Sequence, residues 1–231
     1  MERIHSYAPS RTSTGETAND ILWVTYRWMS LGLALTGVVA WLVAHSEAAL
    51  NLLLGNRASY IVLMIAQLGL VLAFTRLAPR VSTAAAAGMF FAYAALTGVT
   101  FSVLFLIYTS ASIAQTFFIT AGAFAGLSVF GATTKRDLSA IGRFALFALI
   151  GLLIATLVNI WLESTALMWL TTYAGILIFA GLTAYDTQKL KAMYAQQGSA
   201  GNLALVGALM LYLDFINMFV FMLRLTGSRR D

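Results

Sequence analysis

The 231-residue chain has no cysteine, two prolines, two histidines and few charges: Asp, Glu, Lys and Arg together make up 10% of it. Each shortage removes a class of protein. Without cysteine there are no disulfides and no thiolate metal sites, and His5 and His45 lie too far apart in sequence to suggest a shared metal. A soluble domain covers its core with roughly a quarter charged residues, so this chain cannot coat a globule in water. The sequence also lacks HExxH, GxSxG and GxxxxGK[ST], which leaves metalloprotease, esterase and ATP-driven pump chemistry without a motif.

What the chain has is apolar surface. Hydrophobic residues make up 60% of it and the mean hydropathy is +0.84, so the partner that covers it is the lipid bilayer. Crossing the hydrocarbon takes about 20 helical residues, and seven runs approach or exceed that length: 21–44, 58–74, 83–108, 113–130, 141–161, 166–185 and 203–225. The fold class is therefore an all-α, polytopic membrane protein. Residues 1–20 are polar and lack the apolar centre of a signal peptide, so they read as a disordered cytoplasmic tail; 21–225 form the transmembrane domain and 226–231 a short polar tail. Only Thr109 to Ser112 separate the third and fourth runs, so either a tight helical hairpin joins them or the count of spans is wrong there.

The net charge of +5 does not indicate nucleic acid, because the basic residues sit in short clusters between the apolar runs, where they set orientation. With seven spans the N-terminal side collects Arg3, Arg11, Arg27, Arg76, Arg80, Lys135, Arg136, Arg143, Lys189 and Lys191, against Arg57, Arg224, Arg229 and Arg230 opposite. The N-terminus is thus expected in the cytoplasm and the C-terminus outside, in a plasma membrane. A re-entrant last run would return Arg224, Arg229 and Arg230 to the basic side. Within the fourth run Gly122 and Gly126 form a GxxxG spacing, expected to serve helix packing inside the bundle, with a dimer face as the alternative.

Chemistry concentrates on two acids. Asp214 lies at the midpoint of the last run, where a carboxylate costs an inserting helix on the order of 3 kcal/mol. Asn217 is three residues on and shares its face, but an amide does not neutralise an anion. Asp186, beside Tyr185 at the end of the sixth run, is the evident partner: two such carboxyls share a proton and titrate in coupled steps. Deprotonated, the pair is a hard-oxygen site that can hold Ca²⁺ transiently; protonated, it is neutral and lets two helices pack. Hydropathy sets Asp214 near the midplane and Asp186 near the edge, so they meet only if the last span is shifted or irregular. Arg76 and Arg80 are candidate latches on the pair. An intramembrane aspartyl protease is disfavoured, since Asp214 is flanked by Leu213 and Phe215 without the glycine motif such an enzyme carries.

Three segments, Thr133-Thr-Lys-Arg-Asp-Leu-Ser139, Leu182-Thr-Ala-Tyr-Asp-Thr-Gln-Lys-Leu190 and Leu211-Tyr-Leu-Asp-Phe-Ile-Asn217, resemble the bacterial branch of the Bax inhibitor-1 family. The resemblance covers all seven runs from near Trp23. It implies a seven-helix bundle with the last helix central, and a pH-sensitive calcium leak with no cofactor, gated by paired aspartates at Asp186 and Asp214. It also implies a basic latch from the second span, at Arg76 or Arg80, and it sets Gln67 where better-studied relatives carry an acid. Some relatives instead bind a membrane-anchored AAA protease through a cytoplasmic N-terminal tail, which is the alternative role for this chain.

Overall fold

The computed structural model describes residues 11–197 and 202–230. Among them it contains eight α-helices: α1 (Arg11–Ala44), α2 (Glu47–Leu54), α3 (Arg57–Leu77), α4 (Thr83–Ile107), α5 (Ser110–Thr133), α6 (Ser139–Leu162), α7 (Thr165–Gln197) and α8 (Leu203–Thr226), with a 3₁₀ turn at Ala78–Arg80. All but α2 are long and apolar enough to cross a membrane, which gives the seven expected spans. The turns are built by short polar side chains. Ser82 and Thr109 accept the backbone N–H of Ala85 and Ser112, which starts α4 and α5. Thr109 therefore opens α5 two residues after α4 ends, and the hairpin between the third and fourth spans is as tight as the sequence demands.

Three boundaries differ from the hydropathy reading, two of them because burial rather than polarity decides where a helix ends. Helix α1 begins at Arg11, so 11–20 continue the first helix and Ala18 is fully buried; of the expected tail, 1–10 lie outside the described residues. The polar break after 44 holds a short helix, α2, capped by Ser46. Most consequentially, α7 does not stop at Tyr185 but runs on to Gln197. Leu190 and Tyr194, four residues apart on one face, are completely buried and keep this polar-looking stretch helical.

Helix α8 is the centre of the bundle. It packs against α1, α4, α5 and α7, and its Leu205, Ala208, Leu211, Tyr212, Met218 and Leu223 are among the most deeply buried residues in the chain. Helix α3 rests mainly on α4, and α6 on α7, so these two sit outside the ring that encloses α8. Glycine permits the closest approaches: a Cβ at Gly131 would overlap the Ala184 carbonyl between α5 and α7, and one at Gly175 would come within 2.6 Å of the Phe221 ring between α7 and α8. The GxxxG pair does not serve this purpose. Gly122 and Gly126 are exposed on the outer face of α5 with open space before them, so the expected packing role within the bundle belongs to Gly131 instead.

Both ends of α8 are tied down. Asn202, just ahead of it, donates from its amide to the Ala78 and Val81 carbonyls at 2.6 and 2.9 Å. At the other end Tyr108 and Arg229 form an isolated bridge, the Ser228 N–H donates to Ser112 Oγ at 2.9 Å, and Arg230 donates to the Phe105 carbonyl. The last helix thus crosses the whole bundle and finishes against the α4–α5 turn, opposite the side where α1 starts; it is not re-entrant.

Candidate functional site: a buried aspartate pair

The register of α7 on α8 answers the depth problem posed by the sequence. These helices are antiparallel, and Phe179 stacks on Phe221 with ring centroids 6.1 Å apart. Seven residues further along α7 is Asp186, and seven residues back along α8 is Asp214. Seven residues are nearly two helical turns, so both acids return to the same depth as each other. Beyond them Tyr194 and Leu190 close on Gly207, where a Cβ would overlap the tyrosine hydroxyl. Asp186 is eleven positions before the end of α7 and Asp214 eleven after the start of α8, a rise of about 16 Å along each. Neither helix is irregular; the apparent mismatch arose because α7 extends twelve residues past its apolar run.

Asp214 is 4% exposed and its Oδ2 has no hydrogen-bond partner among the described residues. Asp186 is half-buried, and its charge reaches Asp214; Lys189, one turn on, is the charged neighbour of Asp186. The side chains expected to assist are directed elsewhere. Asn217 spends its amide on the Leu213 carbonyl of its own helix at 2.8 Å. Tyr185 turns toward α6, where its ring fills the space left by Gly142, and Lys189 lies 5.8 Å above that ring. Arg76 and Arg80 are exposed at the end of α3 and in the 3₁₀ turn. Gln67 donates to the Leu96 carbonyl and Thr100 Oγ1, both at 3.2 Å, and so fastens α3 to α4.

Among the described residues no group of three or more His, Cys, Asp or Glu side chains is placed to hold a metal ion. Two carboxyls can still bind a hard cation in passing if hydroxyls or carbonyls complete its shell. Such hydroxyls are present and sequence reasoning passed over them: Thr120 and Ser128 on α5 and Thr187 on α7 are buried without hydrogen-bond partners among the described residues. Their signal in the sequence is a small polar residue at every fourth position of α5, interrupted once by Phe124.

Two openings flank the site. Between α1 and α5 runs an apolar groove of about 820 Å³ whose walls include Leu22, Met29, Phe124 and Ser128 and which reaches Phe215, the residue after Asp214. On the side where α1 begins, a second depression of about 440 Å³ is lined by Lys135, Arg136, Asp137, Tyr185 and Lys189. Hydrogen bonds from Ser139 hold the exposed Asp137 carboxyl below its usual value, with Arg143 adding a smaller pull in the same direction.

Residues 18–231 match the family described as inhibitor of apoptosis-promoting Bax1. The inner membrane protein YbhL of Escherichia coli K12 is 51% identical over 210 residues, covering 89% of this chain and 90% of that protein. A protein of Deinococcus radiodurans is 43% identical over 99% of both chains, and one of Borreliella burgdorferi 39% identical over 92% and 94%.

Proposed function

We propose, from the premise that this chain belongs to the Bax inhibitor-1 family, that it is a multi-pass inner-membrane protein providing a passive, pH-sensitive leak for cations, with Ca²⁺ as the transported ion. The observation that carries this reading is a buried carboxylate at the middle of the central helix, at the depth of a second carboxylate, with one oxygen unpartnered among the described residues. Intramembrane acids are costly and persist where ions or protons pass.

The switch follows from charge. With its protons on, the pair is neutral and α7 packs against α8 undisturbed. As pH rises and protons leave, two negative charges face each other across a low-dielectric interface, where like charges repel strongly. That repulsion loosens the α7–α8 contact and creates a site of two hard oxygens attractive to Ca²⁺. Flux therefore increases with pH. A latch from Arg76 or Arg80 would need the end of α3 to swing inward, against the burial of Phe74 and Ala78 and the Asn202 bond to the Ala78 carbonyl.

Protein reconstituted into liposomes loaded with a Ca²⁺ indicator tests this reading. Influx above that of empty liposomes, rising with pH and losing its pH dependence in Asp214→Asn, is the expected result; an Asp214→Asn profile superimposable on wild type would overturn it. The protease-binding alternative uses residues ahead of α1, and deleting residues 1–10 should abolish protease association while leaving flux intact.

A further inference from the structure

Helical Ser and Thr in apolar surroundings ordinarily donate to a carbonyl one turn back. The chain follows this habit away from the site: Thr25, Thr36, Thr97, Thr172 and Thr183 donate to the carbonyl four residues earlier at 2.7 to 3.0 Å. Three buried hydroxyls break it. Thr120 and Thr187 are 0% exposed and Ser128 6%, and none has a hydrogen-bond partner among the described residues. An unmade hydrogen bond at a buried polar atom costs about 1–3 kcal/mol, so three such hydroxyls in the bundle that also holds the unpartnered Asp214 Oδ2 call for an explanation.

Their positions supply it. On α5, Ser112, Thr116, Thr120, Phe124 and Ser128 form a buried stripe with a four-residue spacing, and α8 lies along it. Thr116 Oγ1 pairs with Thr226 Oγ1 at 3.0 Å, and Ser112 Oγ accepts from Ser228. Phe124 meets Phe215 with centroids 5.4 Å apart. Counting along the antiparallel pair from Thr116 and Thr226, Ser128 falls at the depth of Asp214, and Thr120 lies between the aromatic contact and the far surface. Thr187, the residue after Asp186, is fully buried on α7 at a depth between the Phe179–Phe221 and Leu190–Gly207 contacts.

We propose that the far half of the cation path runs along the seam between α5 and α8. In it Ser128 and Thr187 complete the shell of a cation leaving the aspartate pair, and Thr120 and Thr116 relay it toward the exit at Ser112. This rests on the leak reading and assigns its route. Hydroxyls spaced one turn apart stand about 6 Å from each other along the helix, a distance one water molecule can bridge. The interruption at Phe124 is the closure. Its ring, with Phe117 and Phe215, forms an apolar plug, and an apolar constriction blocks ions by excluding water. Phe117 meets Phe215 at 5.4 Å and Phe219 at 6.3 Å. Because Phe215 follows Asp214 directly and borders the groove between α1 and α5, a shift of the charged aspartate can move the ring aside.

The absence of native cysteine makes substituted-cysteine labelling free of background. In proteoliposomes at raised pH, Thr120→Cys and Ser128→Cys should react with a small cationic methanethiosulfonate at least about tenfold faster than the equally buried, back-bonded Thr97→Cys, because only a hydrated thiol ionises and reacts. Thr120→Val should lower Ca²⁺ flux severalfold while Thr120→Ser preserves it, which separates loss of the hydroxyl from a packing defect. Labelling no faster than at Thr97→Cys in a protein that conducts would overturn the route and leave the leak intact. Rapid labelling in a protein that passes no Ca²⁺ would uphold a hydrated seam and overturn the leak.

Discussion

The stacking of Phe179 on Phe221 fixes the depth at which Asp186 and Asp214 face each other. The aromatic pair and the acid pair are seven residues apart on both helices, so any change in the sliding register of α7 on α8 is felt at the carboxyls.

Gly175 lets the Phe221 ring lie against α7. Gly175→Leu would force a side chain into space where a Cβ already comes within 2.6 Å of that ring, a crowding that costs about 1–3 kcal/mol. Thermal unfolding in detergent should show a lower transition temperature, accompanied by a shifted pH dependence of flux. A transition equal to wild type would mean that the glycine does not set the register.

The aspartate pair should also make folding pH-sensitive. Each proton lost leaves an additional negative charge in a low-dielectric interface beside another carboxyl, so wild-type stability should fall as pH rises. Asp214→Asn keeps the shape and removes one charge. Its melting temperature should decline less than that of wild type across the same interval, because only Asp186 still titrates, and should be higher than wild type at the alkaline end.

Asn202 joins the start of α8 to the corner between α3 and α4. Asn202→Ala leaves the Ala78 and Val81 carbonyls without their donor, at a cost of about 1–3 kcal/mol for buried groups. Hydrogen exchange should quicken first at 78–82 and at the beginning of α8; uniform loosening across the bundle would contradict this local role.

Asp137 offers a control outside the spans. Its carboxyl is held below 3.8 chiefly by Ser139, so the small stability it adds is present above that pH and fades as pH falls through its lowered folded value. Carboxyl titration followed by NMR should show Ser139→Ala returning Asp137 toward 3.8, with no change in the pH profile of flux.

The spans were legible because a run of apolar residues as long as the bilayer is thick has few alternatives, and the acids were legible because charge in hydrocarbon is expensive. The hairpin at Tyr108–Thr109 could be read from chain length alone. The far end of α7 could not. Its Asp186-Thr-Gln-Lys stretch looks like an exit into water, and only the burial of Leu190 and Tyr194 against α1 and α8 keeps it helical. Composition also misjudged Gly122 and Gly126, since a small-residue spacing does not say which face of α5 meets a neighbour. The hydroxyls at Thr120, Ser128 and Thr187 are unexceptional as letters; what distinguishes them is the hydrogen bond each does not make.

The tethers on α8 limit how the protein can open. With Asn202 gripping one end and the 228–230 segment pinned to the α4–α5 turn at the other, a piston stroke of the central helix would break both attachments at once. Rotation about its own axis breaks neither. The central rod is mounted like an axle in two bearings, and a twist of a few degrees there would carry Asp214 and Phe215 through an arc together.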